Sequence, residues 1–332
     1  MTKASAPSEV SPRNAKMRTD SAIANTGKVG DEAKQKRGYG LSPKLFVRVL
    51  RIAARIPNWL WHPLVRFASW IAYKRQYRAV RQWALNAEVM LGRPPTAAEV
   101  QAGVLSWFKN MIGSVQLGKY TAEQNLKRVT VEMSGYEAFH TAWQNGGVVV
   151  TLPHMGDWDL AGAWVCAKGI PVSAVVERLP DEEFAFYSVI RRSVGMTIYP
   201  HQDPRAFERL CTDLKNGSVV ALVADRDLSR RGVPVIWHTA SGVKEVTMPP
   251  GPVLLARRTG AAIFVAISTF VDYQMQLKFI GPIETEHGSN GLRATCQQIA
   301  DIFCENVSQN PIDWHLMQRF FPGVVAEPRA AK

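Results

Sequence analysis

The pattern of apolar and polar positions changes character near Leu126. Between Leu41 and Asn86, the residues Leu45, Phe46, Val49, Leu50, Ile52, Ile56, Trp59, Leu60, Trp61, Leu64, Val65, Phe67, Trp70, Ile71 and Tyr73 recur at roughly helical spacing. That stripe predicts a pair of amphipathic helices bent near Pro57 or Pro63. The helical pattern continues from Arg78 to Gly118 and breaks at Gly92-Arg93-Pro94-Pro95. There Thr96, followed three residues later by Glu99, reads as a capping box that opens the next helix. After Leu126, short β-branched runs over 128–133, 147–152, 172–177, 196–199, 218–224 and 262–268 alternate with helical stretches at about 136–144, 159–167, 182–194, 204–215, 250–258 and 292–309. A further run over 273–283 is expected to be an edge strand. The alternation predicts an α/β fold with a central mixed β-sheet flanked by helices.

The 332 residues accommodate one such domain. It is expected over 41–325, with a helical layer at 41–125 and the α/β core at 126–325. The first 40 residues mix Ser, Ala, Lys, Asp and Asn without apolar periodicity and are expected to be a disordered tail, and 326–332 a flexible one. No apolar run follows the early basic residues, so a secretory signal peptide is not expected.

Charge narrows the class of partner. A net +12 calls for an anionic one: nucleic acid, anionic lipid, or a phosphorylated group such as coenzyme A. The helical segment from Leu41 to Asn86 carries Lys44, Arg48, Arg51, Arg55, Arg66, Lys74, Arg75, Arg78 and Arg81 and no acidic residue. These charges recur too often for a membrane span of about 18 apolar residues. They suit helices lying on an anionic membrane surface, aromatics at the headgroup level. The competing reading is a core helix whose basic residues merely face water. Nucleic acid is disfavoured, because the charge lies beside a Trp-rich apolar stripe and no recognition motif accompanies it. The cysteines Cys166, Cys211, Cys296 and Cys304 lack C-x₂-C spacing, so neither a zinc site nor a disulfide framework is expected.

The chemistry concentrates where Val148–Leu152, a buried-strand signal, runs into His154-Met155-Gly156-Asp157-Trp158-Asp159 and a helix. That junction puts His154 beyond the carboxyl end of a strand, where open α/β sheets bind ligands. An imidazole there can act as general base toward a hydroxyl if a carboxylate fixes its tautomer, and Asp159 is the candidate. Five residues along a regular helix would not align the two side chains, so the pairing needs the turn. A plainer reading has Asp157 or Asp159 capping the helix and His154 as a loop residue. His62, His140, His201, His238, His287 and His315 have no carboxylate five residues on and are read as structural, with His315, inside Asp313-Trp314-His315, set apart for attention. Nucleophile-elbow, phosphate-loop and dinucleotide fingerprints are absent from the sequence.

The flanks of this site resemble one family over about Leu45 to Phe321. The strings Leu152-Pro153-His154-Met155-Gly156-Asp157-Trp158-Asp159-Leu160-Ala161-Gly162, Val176-Glu177-Arg178-Leu179 and Gly195-Met196-Thr197-Ile198-Tyr199-Pro200 are followed in order by Ala224-Asp225-Arg226-Asp227-Leu228, Met248-Pro249-Pro250-Gly251-Pro252 and Pro311-Ile312-Asp313-Trp314-His315. Together they resemble the lipid A biosynthesis acyltransferase superfamily, and the Asp-Arg-Asp-Leu and Asp-Trp-His strings are most similar to its actinobacterial phosphatidylinositol mannoside acyltransferases. The resemblance implies a glycerolipid-acyltransferase-like fold with N-terminal membrane-binding helices. It also implies transfer of a long acyl chain, palmitoyl by expectation, from acyl-CoA to a mannose hydroxyl of a phosphatidylinositol mannoside or related glycolipid. The setting implied is peripheral, at the cytoplasmic face of the plasma membrane. Acyl-CoA enters as donor substrate, with no cofactor and no metal. On the same resemblance His154 and Asp159 occupy the catalytic positions, and Glu177, Arg191 or Arg192, and Asp225, Arg226 and Asp227 match polar substrate-binding positions. The chain departs from the family at Val235-Ile236-Trp237-His238-Thr239, where a Phe-Phe-Gly is usual, which leaves another glycolipid, a lysophospholipid or a non-catalytic lipid-binding role open.

Overall fold

A computed structural model of the chain describes residues 43–177, 180–227, 231–288 and 290–327. The tail expected over 1–40 and the last residues, 328–332, lie outside them. Ala326, at the start of the expected C-terminal tail, is buried and donates its N–H to Gln82 Oε1 at 2.9 Å.

Four helices precede the sheet: α1 (Pro43–Arg55), α2 (Asn58–Arg75), α3 (Arg78–Leu91) and α4 (Ala97–Gln116). Pro57 separates the first two, whereas Pro63 is accommodated within α2. Between α3 and α4, Gly92 adopts φ +69° as the αL cap, and Thr96 and Glu99 form the anticipated capping box. Gln116, at the end of α4, donates to the carbonyls of Ala53 and Ile56, satisfying groups the end of α1 leaves open. Trp83, Ala87, Val100 and Val104 join α3 and α4 in a small core of their own.

Strands and helices then alternate: α5 (Ala122–Lys127), β1 (Val129–Val131), α6 (Met133–Gln144), β2 (Val148–Leu152), α7 (Trp158–Ala167), β3 (Val172–Val176), α8 (Asp181–Ser193), β4 (Met196–Pro200), α9 (Ala206–Lys215), β5 (Val219–Val223), a hairpin of β6 (Val233–Thr239) and β7 (Gly242–Met248), α10 (Gly251–Thr259), β8 (Ala262–Val271), β9 (Gln274–Ile283) and α11 (Gly291–Gln309). The main sheet has seven strands among the described residues, in the order β1-β9-β8-β2-β5-β3-β4. Strands β8, β2, β5, β3 and β4 are mutually parallel, β9 runs antiparallel to β8, and β1 is parallel to β9. The segment expected at an edge, β9, therefore lies one strand in, because the short β1 covers it. The Val235–Thr239 stretch, met in the sequence only as a departure from the family, forms most of the first strand of the β6–β7 hairpin.

Strand β2 is buried along its whole length. Its side chains alternate between the two cores, Val149 facing α10, α11 and the hairpin, and Val148, Val150 and Leu152 facing α6 and α7. Strand β8 does the same, with Ile263, Val265 and Ile267 on one face and Phe264 and Ala266 on the other. A strand buried on both faces is a rigid base for whatever its carboxyl end carries.

Candidate active site

Register puts two polar residues side by side at that end. Strands β2 and β5 are adjacent and parallel, with Leu152 opposite Val223. Two residues further along each strand stand His154 and Asp225. Ala224 N–H extends the ladder to Leu152 O at 2.9 Å, and the pair closes over it: His154 Nδ1 lies 2.5 Å from Asp225 Oδ1, and His154 N–H donates to Asp225 Oδ2 at 3.0 Å. The Asp225 side chain is fully buried, while the imidazole keeps 29% of its surface. Trp314 Nε1–H also donates to Asp225 Oδ2, at 3.0 Å. Burial by itself would raise the Asp225 carboxyl; the charge and hydrogen bond of His154, then the bond from Trp314, outweigh it and hold the group below its ordinary value. Beside an ionised Asp225 the Nδ1 position carries a proton, so in the neutral imidazole the lone pair lies on Nε2.

The turn between β2 and α7 is held on several sides. Gly156 adopts φ +61°, and a Cβ there would meet Ser268 O at 2.4 Å, so the position accepts only glycine without rearrangement. Ser268, near the end of β8, donates to Met155 O at 2.6 Å. Asp157 is the N-cap of α7, its Oδ1 accepting from Leu160 N–H at 2.9 Å. Burial pushes its carboxyl up to about 7. The plainer reading of this aspartate, as a cap, is the one the structure adopts. Trp158 stands edge-on to the His154 ring with centroids 5.5 Å apart.

Asp159 does not carry the pairing expected of it. Sitting in the first turn of α7, it accepts from Arg191 of α8 in a bidentate fork, Nε to Oδ1 at 2.7 Å and Nη2 to Oδ2 at 3.0 Å. The turn that was to fold it back toward His154 instead aims it along the helix N-terminus at the guanidinium, and the carboxylate on His154 comes from a different strand. The other predicted polar residues divide similarly. Arg192, next to Arg191, is exposed. Arg226 Nη2 stands 3.6 Å from Glu177 Oε2, a half-exposed carboxylate at the end of β3. Asp227 Oδ2 accepts from Gly232 N–H at 2.8 Å, shaping the approach to β6. Of the Asp225–Asp227 cluster, Asp225 faces the histidine.

His315 belongs to this neighbourhood, as its motif suggested. It is buried, its Nε2 is 2.9 Å from Ser106 Oγ, its backbone N–H donates to His154 O at 2.7 Å, and its ring lies 6.1 Å from that of Trp158. Burial, then the charge of His154, drives its imidazole down to about 3, so it is neutral at physiological pH. Sequence reasoning did not single out Ser106, which has no neighbour along the chain to mark it, and it met Trp314 only as part of the Asp313-Trp314-His315 string, with no role of its own.

Comparison with known proteins agrees with the motifs. Residues 34–322 match the family model described as bacterial lipid A biosynthesis acyltransferase. The chain is 29% identical over 273 residues to the phosphatidylinositol mannoside acyltransferase of Mycobacterium tuberculosis (strain CDC 1551 / Oshkosh), spanning 80% of this chain and 84% of that protein. It is 32% identical over 189 residues to the protein of the same description from Mycolicibacterium smegmatis, spanning 56% of this chain and 60% of the relative. A chain matched over nearly its whole described length, with its most distinctive strings at the carboxyl end of the sheet, belongs to the bacterial lipid A biosynthesis acyltransferase family.

Proposed function

We propose that the protein transfers a long acyl chain, palmitoyl by preference, from acyl-CoA to a mannose hydroxyl of phosphatidylinositol mannosides, with His154 as general base. The observation that carries this reading is the His154–Asp225 pair. It offers a basic Nε2 on a partly exposed ring, backed by a buried carboxylate. A thioester is already activated, so the reaction needs a base for the attacking hydroxyl, a proton for the departing thiolate and a pocket that orients both, and no metal or cofactor. Nε2 takes the acceptor proton as the hydroxyl oxygen attacks the thioester carbonyl. The tetrahedral adduct collapses, the C–S bond breaks, and the same proton passes to the leaving sulfur. Asp225 stabilises the imidazolium between these steps. Asp159 acts through Arg191, anchoring α8 to α7 beside the site, while Arg192 and Arg226 are the cations offered to substrate phosphates.

The proposed setting is the cytoplasmic face of the plasma membrane, bound peripherally. Among the described residues no helix is long and apolar enough to cross a membrane. Helices α1 and α2 nonetheless expose Leu45, Val49, Ile52, Trp59, Leu60, Leu64, Phe67 and Trp70, while Val47, Leu50, Trp61 and Val65 are buried. An exposed apolar face studded with Lys and Arg supports an interfacial role over a water-facing one.

The test supplies labelled palmitoyl-CoA to the purified protein with phosphatidylinositol mannosides and a lysophospholipid in competition. Label is expected in the mannoside, with wild type and not with His154→Ala. Label in the lysophospholipid would move the acceptor; wild type that transfers nothing to either would remove the reading.

A further inference from the structure

The segment Asp313-Trp314-His315, singled out in the sequence, is not used by the chemistry above. It runs beside the His154 turn. Met155 and Trp314 form an antiparallel bridge, Gly156 N–H donates to Asp313 O at 3.0 Å and His315 N–H to His154 O at 2.7 Å. The helical layer fixes this segment in turn. Trp83 Nε1 of α3 donates to Trp314 O at 2.8 Å, Asn86 Nδ2 to Leu316 O at 2.8 Å, and Ser106 Oγ of α4 to Asp313 Oδ1 at 2.5 Å. Trp83 can lie against α4 because residue 103 is glycine; a Cβ there would stand 2.3 Å from its ring.

The Trp314 ring is buried against Trp237, Phe320 and Phe321, and its only polar atom reaches the carboxylate behind the histidine. Asp225 Oδ2 thus takes two donors, His154 N–H and the indole, while Oδ1 takes His154 Nδ1. A buried carboxylate tied at one oxygen by two fixed donors cannot rotate without losing both, so the other oxygen stays aimed at the imidazole.

We propose that Trp314 is a positioning residue for acyl transfer: its indole N–H locks the Asp225 carboxylate in the orientation that holds His154, and the helical layer α3–α4 sets that lock through the Asp313–His315 segment. The proposal rests on His154 being the base. It adds that a phenyl ring filling the same space does not suffice. Removing the donor leaves more charge on the carboxylate for the imidazolium, so the pair binds its proton more tightly and is basic only at higher pH. The neighbouring groups bear on that readout differently. His315, at about 3, is neutral near neutral pH, Arg226 is directed to Glu177, and Arg191 holds Asp159; Asp157, raised to about 7, is a second titrating group in the same turn.

Two variants test it, Trp314→Phe and an isosteric replacement of Trp314 by benzothienylalanine, in which sulfur stands for the N–H. In both, kcat is expected to fall about tenfold, the loss of one hydrogen bond to a charged group expressed as a rate, with KM for acyl-CoA unchanged. The acid limb of kcat/KM is expected to move up by roughly half a pH unit. The titration of the imidazole, followed by ¹⁵N NMR in the protein without substrate, is expected to move with it and separates the pair from Asp157. Wild-type kcat and an unmoved titration in the sulfur variant would overturn the proposal, as would losses confined to KM and thermal stability. A titration that moves in a protein whose wild type transfers no acyl group would uphold the lock and overturn the catalytic reading instead.

Discussion

Asp225 and Asp159 are both buried carboxylates at the carboxyl end of one sheet, 1% and 5% exposed, and their neighbours give them opposite tasks. Asp225 meets a titratable partner, His154, and two neutral donors; Asp159 meets Arg191, which stays charged at any pH the protein encounters. The first arrangement can pass a proton and recover it. The second ties α7 to α8 through a charged fork. Partner chemistry, rather than the carboxylate or its spacing from the histidine, is what distinguishes the two groups here.

The sharpest way to test that contrast is to remove the titratable partner. His154→Ala is expected to lower kcat roughly 10³-fold or more while the melting temperature stays close to wild type, since general acid–base catalysis contributes about 10²–10⁴. The Arg191 side should show the inverse. Arg191→Met leaves Asp159 buried without its counter-ion and is expected to cost about 3–5 kcal/mol of stability, read from urea denaturation, whereas Arg191→Met with Asp159→Leu recovers most of it. Recovery of stability without recovery of rate would place Asp159 closer to the chemistry than its contacts indicate.

A smaller effect concerns the third aspartate of the turn. Asp157 is raised from its ordinary 3.8 to about 7 by burial, so the native state holds a proton that the unfolded chain releases. The stability this group contributes is complete below the unfolded value and is lost as pH rises toward 7. Asp157→Asn keeps the helix cap and removes the titration, so its stability should fall less than that of wild type between pH 4 and 7, by on the order of a few kcal/mol. Denaturation series at several pH values measure this directly. Least affected by chemistry should be the membrane face: Trp59→Ala with Phe67→Ala is expected to weaken binding to anionic vesicles roughly tenfold in flotation, with detergent-solubilised turnover unchanged.

Much of this fold is legible along the chain because its signals are local. The capping box at Thr96 and Glu99, the break at Pro57 and the β-branched runs on either side of each helix depend on residues within a few positions of one another. The β6–β7 hairpin was not legible. Val233–Thr239 carries a proline, Pro234, within it, a signal against a strand, and its inward face, Val235 and Trp237, is explained only by the core that α11 brings to it. The site follows the same division. His154 at the end of a strand could be found from the sequence, and Asp225 stood among the polar site residues that the resemblance offered. The contact on Nδ1 was not legible, since Asp225 lies 71 residues away and reaches His154 only because β5 sits next to β2 in the sheet. Strand order is a property of packing, and an H-x₄-D spacing points to Asp159, whereas the carboxylate within hydrogen-bond reach of His154 Nδ1 is Asp225. Trp314 stands in a string the sequence marks, but its contact with Asp225 is not legible there, because that hydrogen bond spans 89 residues.

The most direct test compares Asp225→Asn with Asp159→Asn in single-turnover transfer of labelled acyl chain from acyl-CoA to phosphatidylinositol mannosides. With His154 as base and Asp225 as its partner, Asp225→Asn should lower the transfer rate about a hundredfold or more without loss of folded protein, and Asp159→Asn should show its main effect in stability. A full rate in Asp225→Asn, with the loss confined to Asp159→Asn, would return the orienting role to Asp159 and contradict the account.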